Sequence, residues 1–526
     1  MEKTKRLPSL LQSRGFSWAL FAAYSLLTLL GALNHEVWLD EAQAWVILRD
    51  APLSEIPHIL KVEGHPYLWY IILYPFVKLG FPVDYVSLIS WAFMAAGAWV
   101  LLFKVELPLP LKAVILFSSG FLFFNSVILR VYCLIPPILF LILWIYPKRR
   151  EHAVLYGFLI ALLTNTHVFI CGIVAVLGIM MIRELFHEWK TASRKENVGK
   201  LIGLCVAGAG VLALVIPLLG SMQANGAVNH YNTEPLGAKI RNMLVFTPGE
   251  ALIYSFFPAN TNTPFWGVAD FFAKVVFLLM LAALRHWRKA FAVELGFLAF
   301  YFITCGLIWT TLPNRAVIFT LSFAFALCLS QYETPVFKDY KITPKITGKI
   351  RALIERLIKA DKKSKKLFTA LLIVLFAITI PSGVSILYKD ISGTFSGARQ
   401  TARYIAENFE DDAVFVQLGD GMPDIVFYEP SIKIFSVDGC GLKTYADWEY
   451  RYRHKESIET TVNAISEYEH LYLISYESGL KDPIYRSDGL SQFDYHNVIS
   501  IFEYNADAVE SYMEGIIKLN EQKKNN

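Results

Sequence analysis

Long apolar segments constrain this 526-residue sequence more than any other feature. A membrane-spanning helix needs about 20 predominantly apolar residues. Eleven segments meet that need, and we predict a spanning helix for each: 16–34, 85–104, 111–128, 131–147, 152–167, 168–183, 201–220, 266–284, 291–311, 315–330 and 367–388. Charged residues make up only 18% of the chain, against about 25% in soluble proteins. Lipid is therefore the predicted solvent for most of the protein.

Basic clusters between the apolar segments predict the orientation in the membrane. They lie at 3–14, 148–150, 183–200, 285–289 and 338–366. Lys and Arg are enriched in cytoplasmic loops, and every cluster is cytoplasmic if the N-terminus is. The first apolar segment shows no convincing cleavage site, which indicates an uncleaved first helix. We predict a multi-pass cell-membrane protein with a cytoplasmic N-terminus.

This orientation defines three large loops in a transmembrane domain spanning 1–388. The first outer loop covers 34–84, the second covers 221–265, and a basic cytoplasmic loop covers 331–366. The apolar stretch 66–80 is short and contains Pro75 and Lys78, so we interpret it as interfacial rather than spanning. The first loop is therefore expected to form amphipathic helices on the outer membrane face.

The region 389–526 has a different character, with thirteen Lys or Arg against twenty-four Asp or Glu. Short apolar runs at 413–417, 432–435 and 471–474 predict buried strands, and 401–409 and 509–519 predict helices. Strands that alternate with helices favour a small α/β domain with a partly parallel sheet. Eleven spans place this acidic domain outside the cytoplasm.

Several classes of protein do not fit the sequence. No basic face points to nucleic acid, because the basic clusters lie between apolar spans. The six cysteines show no metal-site spacing, and Cys440 is the one cysteine in the C-terminal region, which therefore cannot form an internal disulfide. No GxGxxG or P-loop motif occurs in the C-terminal region.

Ionisable residues at predicted span ends are the candidate functional residues, because such groups are costly at membrane depth. Asp40 and Glu41, the candidate catalytic residues, follow the first span. The candidate substrate-binding residues are His65, Tyr67, Arg130, Tyr132, His167, His230, Tyr231 and Arg315. The predicted topology places all of them on the outer side.

These residue types suit sugar transfer from a lipid phosphate. A carboxylate can act as general base on an attacking hydroxyl. Arginines can bind a phosphate and stabilise the charge that grows on it as it leaves. One base without a covalent nucleophile fits a single displacement that inverts the reacting carbon. A polyprenyl-phosphate sugar supplies a donor outside the cytoplasm, where nucleotide sugars are absent.

The ordered motifs resemble the GT-C glycosyltransferases. They are Trp38-Leu39-Asp40-Glu41, Gly64-His65-Pro66-Tyr67, Arg130-x-Tyr132, Thr166-His167 and Arg315. They look most like the family that contains protein O-mannosyltransferases, aminoarabinose transferases of lipid A and RgtA/B/C/D-like bacterial sugar transferases. The resemblance implies an inverting transferase of a polyprenyl-phosphate monosaccharide with Asp40 as base. The family often has His-Pro-Pro-Leu where this chain has His65-Pro66-Tyr67-Leu68.

These residues could also have purely structural roles. Asp40 and Glu41 could cap an interfacial helix, and arginines could extend to lipid headgroups. No cofactor is certain; a divalent metal on Glu41 or Glu63 with a histidine is an alternative that no ligand spacing supports.

Two other functions are also open. One is a transporter or flippase of lipid-linked saccharides, and the other is a non-catalytic assembly protein of envelope polysaccharides. The expected partners are a polyprenyl-phosphate sugar donor, membrane lipid and a glycan, lipid or protein acceptor. The sequence identifies neither the sugar nor the acceptor.

Overall fold

The structure is a computed structural model of the chain. It describes residues 14–63, 66–224, 235–247, 266–305, 313–334, 361–419, 421–446, 456–476, 480–490 and 495–524. Within these residues, the regular elements up to residue 392 are helices, and a small mixed sheet follows. The predicted fold class, a polytopic helical membrane protein with a small α/β domain, is confirmed.

Each of the eleven predicted spans contains helix in the structure. The helices in chain order are α1 (Arg14–Asn34), α2 (Leu39–Asp50), α3 (Ile56–Glu63), α4 (Leu68–Lys78), α5 (Ser87–Phe103), α6 (Leu109–Leu116), α7 (Ile135–Ile145), α8 (Ala153–Thr164), α9 (Cys171–Glu188), α10 (Arg194–Ala224), α11 (Leu236–Arg241), α12 (Trp266–Leu284), α13 (Arg288–Ile303), α14 (Pro313–Ser330) and α15 (Asp361–Ser392). Within the described residues, six segments are long and apolar enough to cross a membrane: Arg14–Asn34, Val83–Phe103, Val131–Lys148, Val168–Glu188, Arg194–Ile216 and Lys366–Ser392.

The predicted span 111–128 is not one continuous helix. The helix α6 ends at Leu116, and a π-helical turn follows at Gly120–Phe124. At the break, the Ser119 amide donates to the Thr379 hydroxyl on α15 at 3.2 Å. Unpaired backbone groups at membrane depth need such a protein partner. The break therefore depends on contact with α15, which the local sequence does not reveal.

The first loop also differs from the prediction of amphipathic surface helices. Residues 41–48 of α2 are all buried, so this helix has no solvent-facing side over that stretch. A helix buried all round needs covering on every face. The bundle covers one side of α2, and the C-terminal domain covers another.

The C-terminal domain is a six-stranded sheet with helices against it. The domain elements are α16 (Ala398–Asn408), β1 (Val414–Gln417), α17 (Pro423–Tyr428), β2 (Lys433–Ser436), β3 (Gly441–Leu442), α18 (Ile458–Ile465), β4 (Leu471–Tyr476), β5 (Tyr485–Arg486), β6 (Ile499–Glu503) and α19 (Ala506–Lys524). The strand order is β3-β2-β1-β4-β6-β5. The strand β1 pairs in parallel with β2 and β4, and the other pairs are antiparallel. Apolar side chains fill both faces of the sheet.

Close backbone contact joins α8 to α10. A Cβ atom at Gly203 would lie 2.2 Å from the Ala153 carbonyl oxygen, and one at Gly157 would lie 2.0 Å from the Gly203 carbonyl oxygen. Small residues at such crossings let helix backbones approach within the membrane. The helix pair therefore needs glycine at both positions.

The substitution Gly203→Ala is expected to destabilise the protein by about 1–3 kcal/mol, because the new methyl group forces α8 and α10 apart. The matched control is Gly208→Ala on the same helix, where a Cβ meets nothing within 4 Å. The control should be neutral or slightly stabilising. Thermal unfolding in nanodiscs measures both variants, and equal unfolding temperatures would contradict the close helix contact.

Candidate active site

The helix α2 begins where the chain leaves α1, and its first turn carries both candidate catalytic carboxylates. The backbone of Trp38 is extended, with φ −111° and ψ 175°, and its carbonyl accepts hydrogen bonds from the Glu41 and Ala42 amides. The Glu41 carboxylate reaches back to the Trp38 amide at 3.2 Å. Negative charge is favourable at a helix N-terminus. The local sequence therefore fixes where Asp40 projects.

Asp40 is paired with Arg130, which lies 90 residues further along the chain. The Arg130 Nη1 atom lies 2.9 Å from Asp40 Oδ2. The same atom donates to the Asp40 backbone carbonyl at 2.7 Å. The Asp40 side chain is 36% exposed and the Arg130 side chain 18% exposed. The pair is thus accessible from one side rather than sealed in the core.

The Arg130 guanidinium keeps part of its binding capacity. Both contacts to Asp40 use Nη1, and within the described residues neither Nη2 nor Nε has a hydrogen-bond partner. Burial alone would lower the pKa of Arg130, but the charge of Asp40 and the neighbouring Tyr132 and Tyr70 raise it above its ordinary value. A guanidinium edge with two parallel N–H groups matches a phosphate.

The extended backbone at Arg130 comes from the interrupted helix before it. Arg130 has φ −135° and ψ 155° and precedes a short 3₁₀ turn, Val131–Leu134. Pro136 and Pro137 then begin α7, a position where proline is favoured because its missing N–H has no helical partner. The break between two apolar segments therefore brings a cationic side chain to the end of α2.

Glu41 is enclosed, unlike its neighbour Asp40. Its side chain is fully buried, and Oε2 lies 2.9 Å from Nε2 of His35. The other oxygen, Oε1, accepts the backbone amide of Leu129. These bonds and the Trp38 amide occupy both carboxylate oxygens. In this arrangement Glu41 holds the site together rather than facing a substrate.

Tyr132 and His167 meet near the same pair. The Tyr132 hydroxyl and His167 Nε2 lie 3.4 Å apart, and their ring centroids are 5.1 Å apart. The His167 Nδ1 atom accepts the Phe169 amide at 3.3 Å, which assigns the neutral-ring proton to Nε2. The structure thus brings together four of the predicted residues: Asp40, Arg130, Tyr132 and His167.

A second carboxylate, Glu63, lies close to this group. It accepts Gln43 Nε2 at 2.8 Å and the Tyr70 hydroxyl. The charges of Arg130 and Asp40 both act on Tyr70, so Tyr70 lies close to that pair. Glu63 and Tyr70 therefore form one wall of the site.

The remaining predicted residues are placed only in part. Tyr67 is half-buried at the start of α4, and burial raises its pKa. His65, His230 and Tyr231 lie outside the described residues, as does the side chain of Arg315, although its backbone belongs to α14. Among the residues that are described, no group of three or more His, Cys, Asp or Glu could hold a metal ion.

The C-terminal domain contacts α2 along its length. The Tyr428 hydroxyl accepts the Val37 amide at 2.6 Å, just before the helix. At the other end of α2, Arg49 Nη1 donates to the Val426 carbonyl at 3.0 Å. Between them, the Trp45 ring packs edge-on against Phe427, with the centroids 6.1 Å apart. The helix α17 of the domain is therefore seated on the helix that carries Asp40.

One side-chain amide joins the domain to the site. Gln43 donates to the Ala446 carbonyl at 2.7 Å and accepts the Ala446 amide at 2.9 Å. The same Nε2 atom also donates to Glu63. A single residue one turn after Asp40 thus binds both the C-terminal domain and the site wall.

Sequence reasoning did not single out His35, Gln43, Asp390 or Tyr428. A signal existed for two of them, because His35 and Asp390 are ionisable residues at the ends of apolar spans. The predicted topology also placed both on the same side of the membrane. Gln43 and Tyr428 carry no such signal, since their role depends on the docking of two distant parts of the chain.

The fold is similar to solved structures of ArnT from Cupriavidus metallidurans. The apo structure aligns with a TM-score of 0.51 and 11% identity, covering 93% of this chain and 98% of ArnT. The structure bound to undecaprenyl phosphate aligns with a TM-score of 0.49 and 10% identity, with the same coverage. No protein-family profile and no curated protein matches the sequence. The likeness to the apo structure shows a GT-C fold.

The substitution Gln43→Glu tests the junction between domain and site. It removes the donor to the Ala446 carbonyl and puts a second negative charge beside Glu63, which should cost about 1–3 kcal/mol for the unpaired buried group. We expect a lower thermal unfolding temperature and faster proteolysis between the bundle and the domain. The exposed Gln331→Glu change is the control. An unchanged unfolding temperature in Gln43→Glu would contradict the junction.

Proposed function

We propose that this protein is an integral membrane glycosyltransferase that uses a polyprenyl-phosphate monosaccharide as donor. The acceptor is a hydroxyl group on the extracytoplasmic side of the membrane. The observation that supports this most is the partly exposed pair of Asp40 and Arg130, 2.9 Å apart, in which Nη2 and Nε of Arg130 have no hydrogen-bond partner among the described residues. A carboxylate that can accept a proton therefore lies beside a cation that can bind a phosphate.

The reaction is a single displacement at the anomeric carbon. Asp40 accepts the proton of the acceptor hydroxyl as its oxygen attacks. The bond from the anomeric carbon to the phosphate oxygen breaks, and its electrons leave with the polyprenyl phosphate. Arg130 stabilises the negative charge that develops on that phosphate. One displacement without a covalent intermediate inverts the anomeric configuration.

Donor binding changes the environment of Asp40 in this proposal. Before binding, Arg130 Nη1 is shared between the Asp40 carboxylate and its backbone carbonyl. A phosphate on the guanidinium competes with the carboxylate for positive charge. The basicity of Asp40 therefore rises when the donor is in place, which favours proton removal only in the complete complex.

The other site residues have supporting roles. We assign Glu41 to positioning, because both of its oxygens are bonded to buried groups. Tyr132 and His167 are assigned to contacts with the sugar or phosphate, as is Tyr67. His65, His230, Tyr231 and Arg315 stay candidate substrate contacts on the basis of the sequence pattern alone. A shared fold does not assign an activity, so the proposal rests on the site and uses the ArnT likeness as analogy.

The substitution Asp40→Asn should lower the transfer rate by at least about 100-fold, the usual contribution of a general base. The assay uses the protein in proteoliposomes with labelled polyprenyl-phosphate hexoses and pentoses as donors, and an envelope extract supplies the acceptor. It measures the release of polyprenyl phosphate from each donor. The control is Asp50→Asn at the other end of the same helix, where Asp50 pairs with Arg49. Undiminished transfer in Asp40→Asn would remove Asp40 from the base role. An absence of transfer by the wild type with every donor would favour a transporter or assembly protein.

Substitutions of Arg130 should separate charge from geometry. Arg130→Ala should lower kcat/KM by about 100-fold or more and weaken undecaprenyl phosphate binding, since a charged donor to the leaving group is lost. The kcat/KM of Arg130→Lys should lie between those of wild type and Arg130→Ala, because lysine keeps the charge without the planar pair of N–H groups. The control Arg150→Ala removes a 52% exposed arginine on the predicted cytoplasmic side. Equal phosphate affinity in Arg130→Ala and wild type would contradict the assignment.

A further inference from the structure

A buried histidine lies behind the candidate active site and faces two carboxylates. The Nδ1 atom of His35 is 3.1 and 3.2 Å from the two oxygens of Asp390, and Nε2 is 2.9 Å from Glu41. The side chains of all three residues are 0% exposed. The rings of Phe123 and Phe395 line the histidine, with centroids 6.0 and 4.9 Å away. Both ring nitrogens can donate only when the imidazole is protonated.

This network reaches the catalytic pair through two peptide bonds. Glu41 is the residue after Asp40, and it accepts His35 with one oxygen. Its other oxygen accepts the amide of Leu129, the residue before Arg130. One carboxylate therefore links the backbone next to Asp40 with the backbone next to Arg130.

We propose that His35 is a positioning residue of the transfer reaction: it fixes the Glu41 carboxylate, and Glu41 in turn fixes the separation of Asp40 and Arg130. This inference rests on the proposed function for its kinetic part. Asp390, at the end of α15, orients the imidazole from the opposite side. The network thus connects the helix that precedes the C-terminal domain with the first loop.

A role in stability alone does not account for this arrangement. Buried ion pairs usually add little net stability compared with apolar packing of the same volume, because the charges lose their hydration. Burying three ionisable groups beside two aromatic rings costs more free energy of desolvation than apolar packing between the same helices would. The same groups are well suited to holding a backbone geometry, since charged hydrogen bonds are short and directional.

The charge of His35 makes the proposal testable by pH. Burial alone would lower the pKa of His35, but Glu41 and Asp390 raise it to about 10. The pKa is raised, so the stabilisation is complete below the ordinary value of about 6.5 and is lost as pH rises through about 10. Among the described residues, Glu36 also interacts through its charge with His35 and with Arg399, and burial raises the pKa of Glu36 to about 7. The informative range therefore starts at pH 8, above the Glu36 titration.

The first test compares His35→Gln with wild type in the transfer assay between pH 8 and 10.5. At pH 8 we expect kcat per folded molecule to fall about 10-fold or more, with a smaller change in KM for the donor. The wild-type rate should decline between pH 8 and 10.5 as His35 loses its proton, and His35→Gln should lack that decline. The control His152→Gln alters an exposed histidine and should match wild type. A wild-type rate and pH profile in His35→Gln would overturn the proposal.

A second variant covers the case in which His35→Gln does not fold. Asp390→Asn keeps an acceptor for the Nδ1 proton but removes one negative charge. It should fold, retain an intermediate rate and show the alkaline decline at lower pH than wild type. An unchanged alkaline limb in Asp390→Asn would also overturn the proposal.

A structural readout separates this inference from the proposed function. Cysteines at both positions of the pair, Asp40→Cys and Arg130→Cys, are cross-linked with a short bifunctional thiol reagent, each single variant serving as background. The Glu41 contacts do not use the replaced side chains, so positioning should persist in this variant. Adding His35→Gln should slow cross-linking at least five-fold, whether or not any donor supports transfer. An unchanged cross-linking rate would mean that His35 does not position the pair.

Discussion

The buried carboxylate of Glu41 is the interaction on which the site depends. It accepts a backbone amide from its own helix start, a backbone amide from the break before α7, and the imidazole of His35. Two of these bonds come from the link between α1 and α2 and the third from the break before α7, so the carboxylate joins the first loop to that break at one point. A charge placed in the interior is stable only when its lone pairs are satisfied in this way. The partly exposed pair of Asp40 and Arg130 takes its geometry from that buried carboxylate.

The C-terminal domain completes this construction from the other side. Open α/β sheets usually bind ligands beyond the carboxyl ends of their parallel strands. In this domain, the segment that follows β1 leads into α17, and α17 packs on α2 of the membrane domain. Tyr428, Val426 and Ala446 all bond to residues of the first loop. The domain therefore acts on the site as a support, holding a helix that would otherwise be exposed.

Much of the fold and of the candidate site could be predicted from the sequence. Apolar length located a helix in every predicted span, and strand patterns located β1, β2 and β4. Ionisable groups at span ends pointed to Asp40 and Arg130 as well as to Tyr132 and His167, which the structure brings together. The pattern could not show the broken helix before Arg130, because its backbone bonds to Thr379 on a distant helix. It could not show the burial of α2 either, because part of the cover comes from residues beyond 420. Features that depend on local periodicity could be predicted from the sequence, and features that depend on contacts between distant segments could not.

The central claim is that a lipid phosphate binds on Arg130 beside Asp40. The most direct measurement is an experimental structure of the protein in nanodiscs with undecaprenyl phosphate. We predict the phosphate within hydrogen-bond distance of Arg130 Nη2 or Nε, with the Asp40 carboxylate no longer paired to Nη1. A phosphate bound elsewhere, for example at Arg149 and Arg150 between α7 and α8, with the Asp40 and Arg130 pair intact, would contradict the account.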